Sequence, residues 1–94
     1  MKVEIIFNDV LYIPNKIHED SRGSFSEIFT EKMISDLNIP RHFIQENLSY
    51  SRRKGTIRGL HYQKKPSAQA KLIKVINGEI EDFFIDLRKN SSTY

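Results

Sequence analysis

Hydrophobic positions alternate along most of this chain and recur at helical spacing in only one place, a pattern that predicts a mainly β protein with one short helix. Residues 2 to 7 and 10 to 13 read as extended, and Pro14 to Gly23 as a polar, turn-rich connection. Ser24 to Phe29 reads as a further strand, because Phe25, Glu27 and Phe29 alternate with Ser24, Ser26 and Ile28. Thr30 is placed to cap a helix in which Met33, Ile34 and Leu37 share a face, and Asn38 with Pro40 ends it. From residue 42 onward strand patterns return, over His42 to Ser49, Thr56 to Gln63, Lys71 to Ile76 and Glu79 to Leu87. No internal repeat, low-complexity tract or interdomain linker interrupts the order, so residues 1–94 read as a single domain. Short strands joined by tight turns point to a sandwich or barrel rather than a parallel α/β sheet.

Asn77-Gly78 sharpens this picture, since the dipeptide favours a two-residue type I′ turn and thereby fixes a register. Ile76 then opposes Glu79, Val75 opposes Ile80, Lys74 opposes Glu81, Ile73 opposes Asp82, Leu72 opposes Phe83 and Lys71 opposes Phe84. Lys74 with Glu81 suits a solvated face, so the face of Lys71, Ile73, Val75, Ile80, Asp82 and Phe84 is expected to point inward. Burying Lys71 or Asp82 alone would cost on the order of several kcal/mol. The pair is therefore a candidate functional site, with a structural ion pair or a one-residue slip of register as the alternatives.

Two other segments carry polar groups in suggestive order. Phe43, Gln45, Asn47 and Ser49 share one face of a strand, and Ile44, Glu46, Leu48 and Tyr50 the other. The amide-rich face could bind a polar ligand, but the pattern by itself favours Ile44, Leu48 and Tyr50 in the core. Arg58 and His61 are an odd number of residues apart, so they converge only if Gly59 introduces a bulge or bend.

Composition narrows the classes of function. A chain of 94 residues buries a modest fraction of its surface, which makes partnering with another copy plausible. With 38% hydrophobic and 29% charged residues it is neither disordered in character nor membrane-like. No apolar run approaches the ~20 residues of a spanning helix, and the first residues lack a signal-peptide core, so a soluble cytoplasmic protein with no membrane partner is expected. Zero cysteines exclude disulfides and thiolate sites. Fifteen Lys and Arg against twelve Asp and Glu give a net charge of +3, gathered in Arg52-Arg53-Lys54 and Lys64-Lys65. These clusters lack interleaved exposed aromatics, so they read as solvated loops and no nucleic-acid partner is expected. Acidic small-molecule substrates suit so modest an excess better.

Taken together, Lys54-Gly-Thr-Ile-Arg-Gly-Leu-His-Tyr-Gln63, Ala68-Gln-Ala-Lys-Leu72, Gly78-Glu79 and Ile85-Asp-Leu-Arg88 resemble the dTDP-4-dehydrorhamnose 3,5-epimerases. Asp20-Ser-Arg-Gly-Ser-Phe-Ser-Glu27 and Phe43-Ile-Gln-Glu-Asn47 match as well, so the resemblance covers nearly the whole chain. It implies a cupin fold, the double-stranded β-helix or jelly roll, here as a partial barrel, because members of the family are longer and this chain looks like an N-terminal portion.

The resemblance also implies roles. His61 matches the general base that removes protons from the carbons flanking a 4-keto group, and Lys71 and Arg58 match positions near the developing enolate oxygen and the sugar diphosphate. Arg22, Phe25, Glu27, Gln45 and Asn47 match nucleotide-holding positions, and Asp82 an acidic position lining the same cavity. This agrees with the inward face read from the hairpin, and it reverses the pattern-based preference for residues 43 to 50. The implied activity is an isomerase acting on dTDP-4-dehydro-6-deoxy-D-glucose, in dTDP-L-rhamnose supply for polysaccharide, without a cofactor. The small core, for its part, leads to the expectation of a homodimer in which strands near the N-terminus pair with a second subunit. The family's acidic partner of the histidine and its reprotonating tyrosine match no residue here, and Tyr94 is not that tyrosine. The alternative is a catalytically silent fragment that binds nucleotide sugar or only dimerises. Cupins often bind metal, but Tyr62-Gln63 follows His61 and only His18 and His42 remain, so no metal is expected.

Overall fold

The computed structural model describes residues 3–7, 9–39 and 42–94. Its regular elements are four strands and one short helix, a mainly β content. The chain divides into two compact units, one made of Met1–Pro40 with Asp86–Tyr94 and the other of Arg41–Ile85.

In the first unit, β1 (Glu4–Phe7) pairs antiparallel with β2 (Val10–Tyr12). Glu4 faces Tyr12, Ile5 faces Leu11 and Phe7 faces Val10, with an irregularity between Ile5 and Phe7 that takes up one extra residue. Both strands fall where the hydrophobic pattern put them; Lys2, the expected start of the first, lies outside the described residues.

A second hairpin joins β3 (His18–Asp20) to β4 (Gly23–Phe25), with His18 facing Phe25, Glu19 facing Ser24 and Asp20 facing Gly23. Contrary to the hydrophobic pattern, β3 lies inside the polar stretch from Pro14 to Gly23, and β4 stops at Phe25 instead of running to Phe29. His18-Glu-Asp20 has no apolar residue to alternate, so its pairing comes from the turn and not from a buried face. Asp20 Oδ1 accepts the backbone N–H of Arg22 at 2.8 Å, the side-chain turn that Asp forms with the residue two ahead. Gly23 follows at φ 143, a conformation that a side chain would strain.

The helix α1 (Glu31–Asp36) forms as predicted. Thr30 Oγ1 accepts the Met33 N–H at 3.0 Å, satisfying one of the free donors of the first turn. At the other end Asn38 N–H donates to Ser35 O at 3.0 Å and Ile39 N–H to Ile34 O at 3.1 Å, around Asn38 at φ 55. That pair of bonds is the Schellman stop, and asparagine tolerates its left-handed residue better than most. Pro40, the other expected stop, lies outside the described residues. Ile34, 8% exposed, is the buried hydrophobic residue of this face.

The second unit departs from expectation. No strand is formed among its described residues, although four strands were predicted between His42 and Leu87. Bends mark residues 52–55, 65–67 and 77–78. Gly78 adopts φ 89, but Asn77 does not share a positive φ, so the turn is not the type I′ that fixes a hairpin register. The physical reason is that β pattern expresses fitness for a pleated, half-buried surface, and an isolated hairpin is marginal without a third strand or a covering layer. In this unit Ile44 is 93% exposed and Ile57 90% exposed, and Leu48, Tyr50, Ile80, Phe83 and Phe84 are also exposed, so most apolar positions of the predicted strands are left uncovered.

Residues 86–94 belong to the first unit and turn tightly, with Ser91 N–H donating to Arg88 O at 3.0 Å and Tyr94 N–H to Ser91 O at 3.2 Å. Asp86 organises them. It accepts from Arg88 Nε at 2.9 Å, Arg88 N–H at 3.0 Å and Thr93 Oγ1 at 2.6 Å, and its side chain is 3% exposed. Arg88 Nη1 also bonds Asp9, which ties this segment to the β1–β2 hairpin. The Arg88 guanidinium, then the Ser91 and Thr93 hydroxyls, hold the Asp86 carboxyl far below the usual carboxylate range. Asp86 first and Asp9 second push Arg88 up.

Candidate functional site

The β3–β4 hairpin gathers part of the expected site. His18, Asp20, Arg22, Gly23, Ser24 and Phe25 line an open cleft of about 230 Å³. A second cleft of about 360 Å³, toward the helix, is lined by Lys16, His18, Phe25, Glu27, Thr30, Lys32, Met33 and Asp36. Arg22 and Phe25 thus share one cleft, and Phe25 and Glu27 the other. The backbone of Glu27 is held from the far side, its C=O accepting Asn15 Nδ2 at 3.0 Å.

Arg22 is fixed by its neighbour. Nη2 donates to Asp20 Oδ2 at 2.7 Å and Nε to the same oxygen at 3.3 Å. The Arg22 guanidinium, followed by the backbone N–H groups of Arg22 and Gly23, holds the Asp20 carboxyl below its ordinary value, against a smaller opposing effect of desolvation. Asp20 and His18 were not singled out as site residues from the sequence. For Asp20 the signal was present in Asp20-Ser-Arg-Gly23, an aspartate two residues ahead of a residue it can bond and three ahead of a glycine. For His18 the signal is visible only once the register places it opposite Phe25.

In the second unit the remaining candidates stand on backbone without regular secondary structure. Gln45 Nε2 donates to Asn47 Oδ1 at 3.1 Å, so the two amides do share a side as the alternation required. Arg58 donates through Nη2 to Tyr50 O at 2.7 Å and through Nε to Ser51 Oγ at 3.0 Å, which fixes its guanidinium against residues 50–51. Gly59 adopts φ 88, and a Cβ built on it would lie 3.3 Å from His61 Nδ1. Gly59 thus places a left-handed residue between Arg58 and His61, while residues 56–64 form neither a turn nor a bend.

Lys71 and Asp82 are exposed, which corrects the expectation that the hairpin buries them; the register that faced them inward depends on a ladder that these residues do not form. Among the described residues no hydrogen bond joins His61, Lys71 and Asp82.

A carbon-acid site needs a base, a cation for the oxyanion and a hold on the rest of the substrate. Residues of all three kinds are present in this chain. The family model for dTDP-4-dehydrorhamnose 3,5-epimerase matches residues 4–94. The chain belongs to the dTDP-4-dehydrorhamnose 3,5-epimerase family. It is 40% identical over 92 residues to an enzyme of that name from Methanothermobacter thermautotrophicus, covering 98% of this chain and 49% of that protein. To those of Shigella flexneri and Escherichia coli K12 it is 42% and 37% identical over 87 residues, covering 92% of this chain in each case and 48% and 46% of those proteins. The chain spans about half the length of the curated relatives it matches. No solved structure matches it closely. Among the described residues of this family member, no helix is long and apolar enough to cross a membrane.

Proposed function

We propose that this chain serves a dTDP-4-dehydrorhamnose 3,5-epimerase, acting on dTDP-4-dehydro-6-deoxy-D-glucose in the cytoplasm. The observation that carries the reading is its family membership, with 40% identity over 98% of the chain to a relative of that name. The proposed form is a single jelly-roll domain assembled as a homodimer.

The chemistry explains the residue types. Hydrogens on C3 and C5 flank the 4-keto group and become removable when a base of near-neutral strength takes the proton while a cation stabilises the enolate oxygen. His61 is the proposed base and Lys71 the proposed oxyanion partner. Arg58, fixed against Tyr50 O and Ser51 Oγ, is proposed to hold the sugar diphosphate close by. Asp82 is proposed to line the same cavity. Arg22 would bind phosphate, Phe25 would pack on the base, and Glu27, Gln45 and Asn47 would supply polar contacts. Epimerisation next to an existing ketone is proton transfer alone, so no redox cofactor and no metal enters the proposal. Inversion further needs an acid on the opposite face of the ring, a role assigned to no residue of this chain.

NMR in deuterium oxide tests the reading by following the C3 and C5 protons of the substrate and the appearance of the L-sugar. Exchange with product supports the full activity, and exchange without product supports the base and enolate roles only. No exchange by the folded chain would defeat the catalytic reading. A second reading, a nucleotide-sugar-binding chain without catalysis, is favoured by one observation: Arg22 and Phe25 share a cleft.

A further inference from the structure

We propose that Asp20 is a positioning residue that sets the Arg22 guanidinium for a diphosphate and leaves its Nη1 side to the ligand. The inference rests on the nucleotide reading of the hairpin cleft and adds to it a residue and an orientation. One carboxylate holds both the main chain and the side chain of Arg22: Oδ1 takes the backbone N–H at 2.8 Å, and Oδ2 takes Nη2 at 2.7 Å and Nε at 3.3 Å. An arginine has five N–H donors in a rigid fork. Asp20 engages the Nε side of that fork, so the donors on Nη1 and the outer Nη2 hydrogen remain for a second acceptor, a geometry suited to phosphate oxygens. Phe25 lines the same cleft, which offers a nucleotide an apolar surface as well as a charged fork.

Energetically the pair trades charge for order. Arg22 is largely exposed, and without Asp20 its long side chain would sample many rotamers that binding would have to freeze. Holding it beforehand lowers that cost, the general advantage of preorganisation. The opposing effect is the Asp20 negative charge, which repels phosphate. The proposal is that orientation outweighs repulsion, and affinity ratios read that balance directly.

The test titrates the full chain with dTDP and with thymidine, for the wild type, Asp20→Asn and Asp20→Ala, while ¹⁵N NMR follows solvent exchange at Arg22 Nε–H. Asp20→Asn keeps an oxygen for the backbone turn, so it guards against loss of the hairpin in Asp20→Ala. The expected result is a fall of about two- to fivefold in the ratio of dTDP to thymidine affinity in Asp20→Asn, the range for an exposed ion pair. Arg22 Nε–H, protected in the wild type, exchanges rapidly in the variant. An unchanged or raised ratio, or an equal loss for both ligands, overturns the proposal. A wild type that binds neither ligand, yet loses Arg22 Nε–H protection on Asp20→Asn, overturns the nucleotide reading and the diphosphate role while upholding the hold on Arg22. An unprotected Arg22 Nε–H in the wild type overturns that hold itself.

Discussion

Arg88 pairs with Asp9, 79 positions earlier in the chain, while its other guanidinium nitrogens grip Asp86. The Asp86 side chain is nearly inaccessible, so removing its cation leaves a carboxylate that water cannot readily reach. Arg88→Ala is expected to lower the melting midpoint of the first unit. The drop exceeds that of Lys32→Ala, whose pair with Asp36 is solvated on both sides. Thermal melts of the two variants followed by circular dichroism check the ranking, and equal midpoints would refute it.

Acid should undo the same cluster. Asp86 titrates lower in the folded chain than its ordinary value, so the unfolded chain binds more protons as pH falls. Its stabilising contribution is therefore complete above the ordinary carboxylate range and is lost as pH falls through and below that range. Asp20 adds a contribution of the same sign. Melting midpoints from about pH 6 to about pH 2 should decline less steeply for Asp86→Asn than for the wild type. Parallel curves would contradict the assignment.

His61→Ala and Arg22→Ala separate chemistry from binding. If His61 is the proposed base, His61→Ala is expected to lower exchange at C3 and C5 by about 10²- to 10⁴-fold, with dTDP affinity retained. If Arg22 holds phosphate as proposed, Arg22→Ala is expected to weaken dTDP by about tenfold, the effect of losing charge-assisted hydrogen bonds. Deuterium-exchange NMR and calorimetry read the two effects independently, and matching losses in both variants would signal misfolding.

Gly59 sets the backbone beside the proposed base. Gly59→Ala forces a side chain into a positive φ and brings its Cβ to 3.3 Å from His61 Nδ1, so the imidazole must move. Exchange is expected to fall by roughly ten- to a hundredfold, since small displacements of a reacting group carry costs of that order. Binding of dTDP should change far less. Undiminished exchange would remove His61 from the base role or show that its placement does not depend on Gly59.

Thr30→Ala removes the cap of α1 and should cost about 1 kcal/mol, with Thr30→Ser recovering most of it. Chemical denaturation measures the difference. A loss common to both variants would mean that the threonine methyl, and not its oxygen, matters.

The helix was legible in the sequence because everything that defines it is local: a hydroxyl three residues before Met33, apolar residues at helical spacing and Asn38 to stop it. The extended character of β1 and β2 was legible in their apolar residues, whereas their pairing comes from the structure. His18–Asp20 escaped notice because a strand of three polar residues has no alternation to read, and its pairing depends on the Asp20 turn. The segments from His42 to Leu87 show the opposite failure. Their alternation is clear, yet a strand requires neighbours that alternation cannot supply, and without a ladder the inward placement of Lys71 and Asp82 does not arise. In the candidate site the Arg22–Phe25 grouping and the Gln45–Asn47 pair were anticipated, whereas the holding role of Asp20 emerged only from side-chain geometry.

The contact between Asp9 and Arg88 also orders events in time. Protein synthesis proceeds from the N-terminus, so the residues of both hairpins and the helix are made before Arg88. All of residues 41–85 must follow before the ion pair can close, and in the full chain many of their isoleucines, leucines and aromatics face water. The newborn chain therefore passes through an interval in which its stickiest stretch is complete while the clasp of its first unit is still open, the interval in which a chaperone would have most to hold.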